Sequence, residues 1–268
     1  MSVQSLMQQL CLLILLIFCS VSKSHSESTI NVTNGEWQPY LSNFSHEYGL
    51  ASHIVSEAFK LEGVDVTWGF FPWARAYKLA EKGEEWQASA VWWPTEDTKK
   101  NFWVSDVVVN TSFVFFHLKE FNFKWDSIQD LSPYQIGFTR GYDYGDKFMS
   151  AVKEGQLSVQ VVQSDEQSFK KLLLGRIDIF PNDPLVGYAQ IKHIFTAQEA
   201  KLITHNERSF EASTLHLILS KKAKNNKRYL KKFNAGLKKL KKSGRIAQMY
   251  KNLDKGKYDK KQFIWVKH

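Results

Sequence analysis

The stretch GLASHIVSEAFKLEGVDVTWGFFPWARAYKLAEKG, Gly49 to Gly83, passes from a helical period to a strand period and back again. In its first part Leu50, Ile54, Val55, Ala58 and Leu61 fall on one side of a 3.6-residue helix, with Gly63 just past its end. VDVTWGF then alternates as a strand does, and Pro72 suits the first turn of a second helix that stops at Gly83. A helix, a strand and a helix in so short a span predict an α/β protein.

The same alternation continues on both sides. TINVTN, near Ile30, reads as the first strand, QASAVWW as a third, and SDVVVNTSFVFFHL is β-branched and aromatic enough for one or two more. The pattern then restarts: strand over Tyr134 to Thr139, helix over Tyr144 to Glu154, and strand over Leu157 to Val162. A helix over Ser164 to Leu174, with Ser164 as N-cap, leads to Gly175 and the strand RIDIF. SFEASTLHLILS is another strand, and helices near Asn225 to Lys242 and Gly244 to Leu253 close the chain. Strands alternating with helices predict largely parallel sheets. No repeat or low-complexity linker is present, and HLKEFNFKWDS, from His117, is the best boundary.

The ends of the chain differ from its body. LCLLILLIFCS, Leu10 to Ser20, is an apolar run followed by small and polar residues. It is short of the roughly 20 apolar residues a membrane-spanning helix needs, and fits the apolar core of a cleaved secretory leader over residues 1–25. The alternative is an uncleaved anchor. Both cysteines, Cys11 and Cys19, lie inside this segment, so the exported chain would carry no thiol, disulfide or cysteine-bound metal. The 268 residues can bury a core without disulfides.

The net charge of +9 is concentrated at one end. From Lys221 to His268 there are 18 Lys and Arg against Asp254 and Asp259. Leu230, Phe233, Leu237 and Leu240 share one face of this region, so its lysines read either as the solvated side of a packed helix or as an anion-binding arm. Export argues against a nucleic-acid partner.

No catalytic constellation is present. The eight histidines are scattered, and no H-E-x-x-H, G-x-S-x-G, G-x-x-x-x-G-K-[ST] or G-x-G-x-x-G occurs. His46 and His53 lack a carboxylate at metal-site spacing, so neither a metal nor a cofactor is expected. Asn31, Asn43 and Asn110 match the N-glycosylation acceptor pattern, which matters only in a source that glycosylates.

Aromatic residues carry more information. Trp37 and Tyr40 follow the first strand, Trp73 the second, and Trp92 and Trp93 the third. Segments just past the strand ends of a parallel sheet line one crevice, where α/β proteins bind ligands. These rings therefore either wall a shared pocket or fill core beneath loops.

Taken in order, WQPY, G-L-x-x-x-I-V-x-E-A-F, PWARA, the T-x-x-x-K-x-x-F-x-x-S-D run from Thr95 to Asp106, GFTRGYDYG and GRIDIFPND resemble the bacterial periplasmic solute-binding proteins of family 3. These include the polar amino-acid receptors of ABC transporters. The resemblance covers essentially the whole exported chain. It implies a two-lobed, type II Venus-flytrap fold with a two-stranded hinge: residues 26–116 and 212–268 in one lobe, 117–211 in the other.

The resemblance also implies a ligand site. In amino-acid receptors the position of Thr98 is usually an arginine that clamps the ligand carboxylate. A neutral hydroxyl cannot supply that charged fork; Lys99 or Lys100 could substitute only if the loop turns, and Arg75 or Arg140 could instead provide a guanidinium. Asp183 stands where those receptors keep the carboxylate that holds a ligand ammonium, although Asp before Pro184 is also a common turn residue. Thr139, Arg140 and the amides near Gly141 offer anion donors, with Tyr142 as a stacking edge. The expected ligand set is Trp37, Tyr40, Trp73, Arg75, Trp92, Trp93, Thr95, Thr98, Arg140, Tyr142 and Asp183.

These readings make the chain a monomeric periplasmic receptor, not an enzyme. It would capture a small polar solute, amino-acid-like or cationic, for an ABC transporter permease or a membrane sensor. The alternatives are an enzyme on the same scaffold, similar to the periplasmic cyclohexadienyl dehydratases, with Glu36, Asp97 and Asp183 as candidate acids or bases. An interaction module that has lost its pocket is the other.

Overall fold

A computed structural model describes residues 28–140, 142 and 144–259. The leader-like segment and the last nine residues lie outside them. In chain order the elements are β1 (Ser28–Asn34), α1 (Leu50–Lys60), β2 (Val64–Phe70), α2 (Trp73–Lys82), β3 (Ala88–Trp92), α3 (Glu96–Asn101) and β4 (Phe102–Leu118). There follow β5 (Gln135–Thr139), α4 (Asp146–Lys153), β6 (Ser158–Val162), α5 (Asp165–Leu173), β7 (Phe180–Asn182), α6 (Pro184–Ile194) and α7 (Ala197–Ala200). The chain ends with β8 (Ile203–His205), β9 (Glu211–Ser220), α8 (Asn226–Lys242) and α9 (Arg245–Asp254).

Periodicity places the helices well. In α1 the apolar stripe Leu50, Ile54, Val55, Ala58 is fully buried, whereas Leu61, expected on the same face, is the C-cap beyond the last turn and is exposed; Gly63 follows with φ of 65°. Phe233, Leu237 and Leu240 of α8 are buried as their spacing requires, against α1. Gly236 lies so close to the Ala58 carbonyl that any Cβ there would collide with it.

The sheet corrects the expectation of largely parallel pairing. Its order is β2-β1-β3-β9-β4-β7, with β8 also on β4. Only β1–β2 and β1–β3 are parallel within it. β9 returns from far along the chain and inserts antiparallel between β3 and β4, a pairing no local pattern encodes. β5 and β6 form a separate parallel pair. RIDIF is corrected too: the strand is Phe180–Asn182, and only Ile179 before it makes an isolated bridge, to Ile136.

Apolar side chains collect around β4 and β9. The largest core takes residues from Ile30 to Val109 and from Leu215 to Tyr258, joined by Val186. Two others lie within Phe113 to Phe210. β4 and β9 run side by side from one region to the other, with Val109 opposite Leu215 and Phe113 opposite Glu211. These two crossing strands are the hinge of a two-lobed molecule.

Candidate functional site

The first residues of α6 meet the first lobe beside the crossing strands. Asp183 is the N-cap of α6: its Oδ1 accepts from the amides of Leu185 (2.9 Å) and Val186 (3.1 Å), and Pro184 fills the position that needs no donor. Its Oδ2 accepts from the Thr111 hydroxyl of β4 at 2.6 Å and, more weakly, from the Tyr40 hydroxyl at 3.5 Å. Asp183 is only 2% exposed and none of the ion pairs among the described residues includes it. Burial holds its carboxyl above the ordinary value, against the pull of those donors. The Tyr40 phenol is pushed far up, first by burial and then by the neighbouring Asp183 charge.

The expected aromatic wall resolves into three groups. Trp37 stacks on Tyr40, with ring centroids 4.7 Å apart, and so lies next to the Asp183 cap. Trp73 lies directly over Gly35, where a Cβ would strike its indole, and meets Trp92 edge-on at 5.3 Å. Trp92 continues into Tyr77 at 5.2 Å, packs against the small core of Ala80, Phe102 and Ile218, and donates its indole N–H to Ser89 Oγ. Trp93 follows the last residue of β3. It packs against the cores of both lobes and lies 6.3 Å from Phe113.

Thr98 is turned inward. It is 3% exposed, its hydroxyl donates to the Trp93 carbonyl at 3.3 Å, and it shares a 2.9 Å hydrogen bond with Thr95. Thr95 is the N-cap of α3 and accepts from the Thr98 amide. These two hydroxyls therefore hold the turn after β3. Arg75 is exposed with its guanidinium over Phe71, and Arg140 is exposed, bound through its backbone amide to Val162. Gly141 lies outside the described residues.

A second buried carboxylate was not anticipated. Asp165, at the first turn of α5, is 4% exposed. Its Oδ1 accepts from Thr139 at 2.7 Å, and its Oδ2 from Tyr142, Asn182 and Gln190 at 3.3, 3.2 and 3.1 Å. Asn182 Oδ1 then accepts from the Asp183 amide at 2.8 Å. Thus Thr139, Tyr142, Asp165, Asn182 and Asp183 form one connected network. Burial, then the Asp165 charge, drives the Tyr142 phenol up. An acid in a helix first turn is too ordinary for sequence to single this one out; the adjacent Asn-Asp pair was the available signal.

The other candidate acids lie apart. Glu36 is exposed and accepts from the Asn43 amide, and Asp97 is exposed on α3. Among the described residues no group of His, Cys, Asp and Glu could hold a metal ion, and no helix is long and apolar enough to cross a membrane.

No protein-family model matches the chain, and no curated protein does. Solved structures do. A histidine kinase sensor domain with similarity to periplasmic binding proteins superposes with a TM-score of 0.66 at 13% identity, covering 84% of this chain and 96% of its own. An ancestral arginine-binding protein bound to arginine gives 0.65 at 19%, covering 84% and 97%. A mutant of ArgBP from T. maritima gives 0.63 at 16%, covering 86% and 96%. The chain has the two-lobed periplasmic-binding-protein fold. At these identities the likeness is one of fold, and it spans nearly all of each neighbour. Of the Asp183 network, Oδ2 of Asp183 is the atom that reaches β4, at Thr111, and the segment after β1, at Tyr40.

Proposed function

We propose that this chain is a solute receptor that closes its two lobes over a small polar solute, cationic or amino-acid-like. It would hand that solute to an ABC transporter permease or a membrane sensor in the periplasm. We place the lobes at 26–116 with 212–268 and at 117–211, and the chain acts as a monomer after loss of residues 1–25. The observation that carries the reading is Asp183, a buried carboxylate at the lobe junction with no cation among the described residues to pair with it. A buried charge is costly until paired, so a ligand cation brought to it gains a charge-assisted contact. Trp37 and Tyr40 supply an apolar, cation-accepting surface alongside. The neighbours named as an ancestral arginine-binding protein and an ancestral cationic amino acid solute binding protein give this reading its chemical direction.

Thr98 shapes the other half of the proposal. Its inward hydroxyl leaves no guanidinium at the family's usual carboxylate clamp, so the solute's cationic end supplies most of the recognition. The scattered positions of Glu36, Asp97 and Asp183 favour binding over turnover. The test is thermal stabilisation and calorimetry on protein stripped of ligand by unfolding and refolding. The panel is arginine, lysine, their decarboxylated amines, glutamate and a dicarboxylic acid. Cationic members should stabilise the protein, and Asp183→Asn should lose that binding at least tenfold. Stabilisation by the dicarboxylic acid alone, or by none of the panel, would sink the reading.

A further inference from the structure

The lysines of α8 are sorted by where they point. The helix NKRYLKKFNAGLKKLKK has eight Lys and Arg in 17 residues and no acid. Those on its flanks turn back to the protein. Lys239 pairs with Glu62 at 2.7 Å, Lys232 donates to the Glu62 carbonyl at 2.8 Å, and Lys241 to the Val107 carbonyl at 2.8 Å.

Opposite the buried Phe233, Leu237 and Leu240 stands a second set, Arg228, Lys231, Lys238 and Lys242. All four are exposed, and none of the ion pairs among the described residues includes them. The row extends over about 21 Å of helix. At its start Lys221 and Lys227 place their ammonium groups 4.9 and 4.8 Å from the ring of half-buried Trp103. Beyond its end α9 adds exposed Lys251, with Lys255 and Lys257 following.

We infer that this row is a docking surface for the anionic headgroups of a membrane. Four outward cations on one straight helix can touch a plane together, and each adds attraction to an anionic leaflet that fades within a Debye length. The rest of the chain opposes them in sign: residues 1–220 hold 25 acids against 18 bases. Such a dipolar molecule is turned by a negative plane so that α8 faces it and the acidic body points away. Trp103 beside its two lysines is the amphipathic ring that suits a headgroup region. Nucleic acid offers the same phosphate charge. However, among the described residues the ring that meets lysines beside this row is Trp103 alone, whereas strand-binding surfaces stack successive bases on several. The surface does not depend on what the cleft binds.

Flotation with vesicles tests this using the full chain, so that every protein compared carries the same N-terminus. Vesicles of phosphatidylcholine, with or without about one third phosphatidylglycerol, are mixed with wild type and with the quadruple variant Arg228→Glu, Lys231→Glu, Lys238→Glu, Lys242→Glu. A second variant carries the same charge change on exposed lysines elsewhere: Lys119→Glu, Lys124→Glu, Lys153→Glu, Lys201→Glu.

Wild type should partition at least tenfold more strongly to the anionic vesicles, an advantage that shrinks as salt rises. The α8 variant should lose most of that advantage and the second variant should keep it, both with wild-type circular dichroism. An equal loss in both variants would reduce the effect to net charge and overturn the assignment. So would absence of any anionic preference, or retention of duplex DNA without retention of anionic vesicles. If the α8 variant fails to fold, Lys231→Gln with Lys238→Gln replaces it, with a smaller loss expected; full retention there overturns the assignment too.

Discussion

Asp183 and Thr98 are both buried and both hold a local turn by hydrogen bonds, but only Asp183 carries a charge there. Asp183 caps α6 and is buried, and burial raises its carboxyl above the ordinary 3.8. The sign follows from linkage. Between the ordinary and the raised value the folded chain holds more protons than the unfolded one, so Asp183 costs stability increasingly as pH rises through that window. Asparagine keeps an N-cap oxygen without the charge. Asp183→Asn without solute should therefore gain stability relative to wild type as pH goes from about 3 to 7, measured by thermal midpoints at both; the opposite trend would show that the charge is well solvated. Solute binding to wild type should weaken on acidification through the same window, because the protonated carboxyl no longer attracts a cation. Thr98→Val, by contrast, removes two hydrogen bonds inside the turn after β3. It should cost about 1 kcal/mol in urea unfolding and leave solute affinity within a factor of about three. A large affinity loss without a stability loss would place the hydroxyl against the solute instead.

At the scale of elements, legibility followed locality. Helices α1, α2, α5 and α8 bury one stripe each, and a 3.6-residue period shows that directly. Helix α6 is not legible in PLVGYAQIKHI because it has no single apolar stripe. Val186 enters the first lobe's core, Ile191 the second lobe's, and Gly187 lies against Phe116. The Asp-Pro that begins it looked as much like a turn as a cap. Helix α8 offers the sharper test. Gly236→Ala improves helix propensity by about 1 kcal/mol, yet its Cβ meets the Ala58 carbonyl of α1. Backbone cannot yield as a side chain tip can, so overpacking should prevail, with a net loss of about 1–2 kcal/mol in chemical denaturation.

For the whole molecule the proposed receptor role requires motion between lobes. β4 and β9 connect them, and Trp93 packs against the cores of both, whereas Trp92 stays within the first lobe. Closure over a solute should therefore change the surroundings of Trp93 far more than those of Trp92. Trp93→Phe should remove most of the solute-induced change in intrinsic fluorescence, and Trp92→Phe should leave it near wild type. Equal effects would mean that the lobes do not move about this junction.

By itself the sequence determined the class of fold, the positions of the amphipathic helices, the ordered string of motifs and the concentration of positive charge near the C-terminus. All of these are written in spacings of a few residues. Only the tertiary structure decided that β9 lies antiparallel between β3 and β4, and that of the two adjacent tryptophans Trp92 stays within one core while Trp93 packs against two. It also buried Asp165 and Asp183 in one network and sorted the lysines of α8 into inward and outward sets. Each of these depends on which distant segment comes to lie alongside. That choice is made by the packing of the whole chain, where burial and the pairing of buried polar groups outweigh local preference.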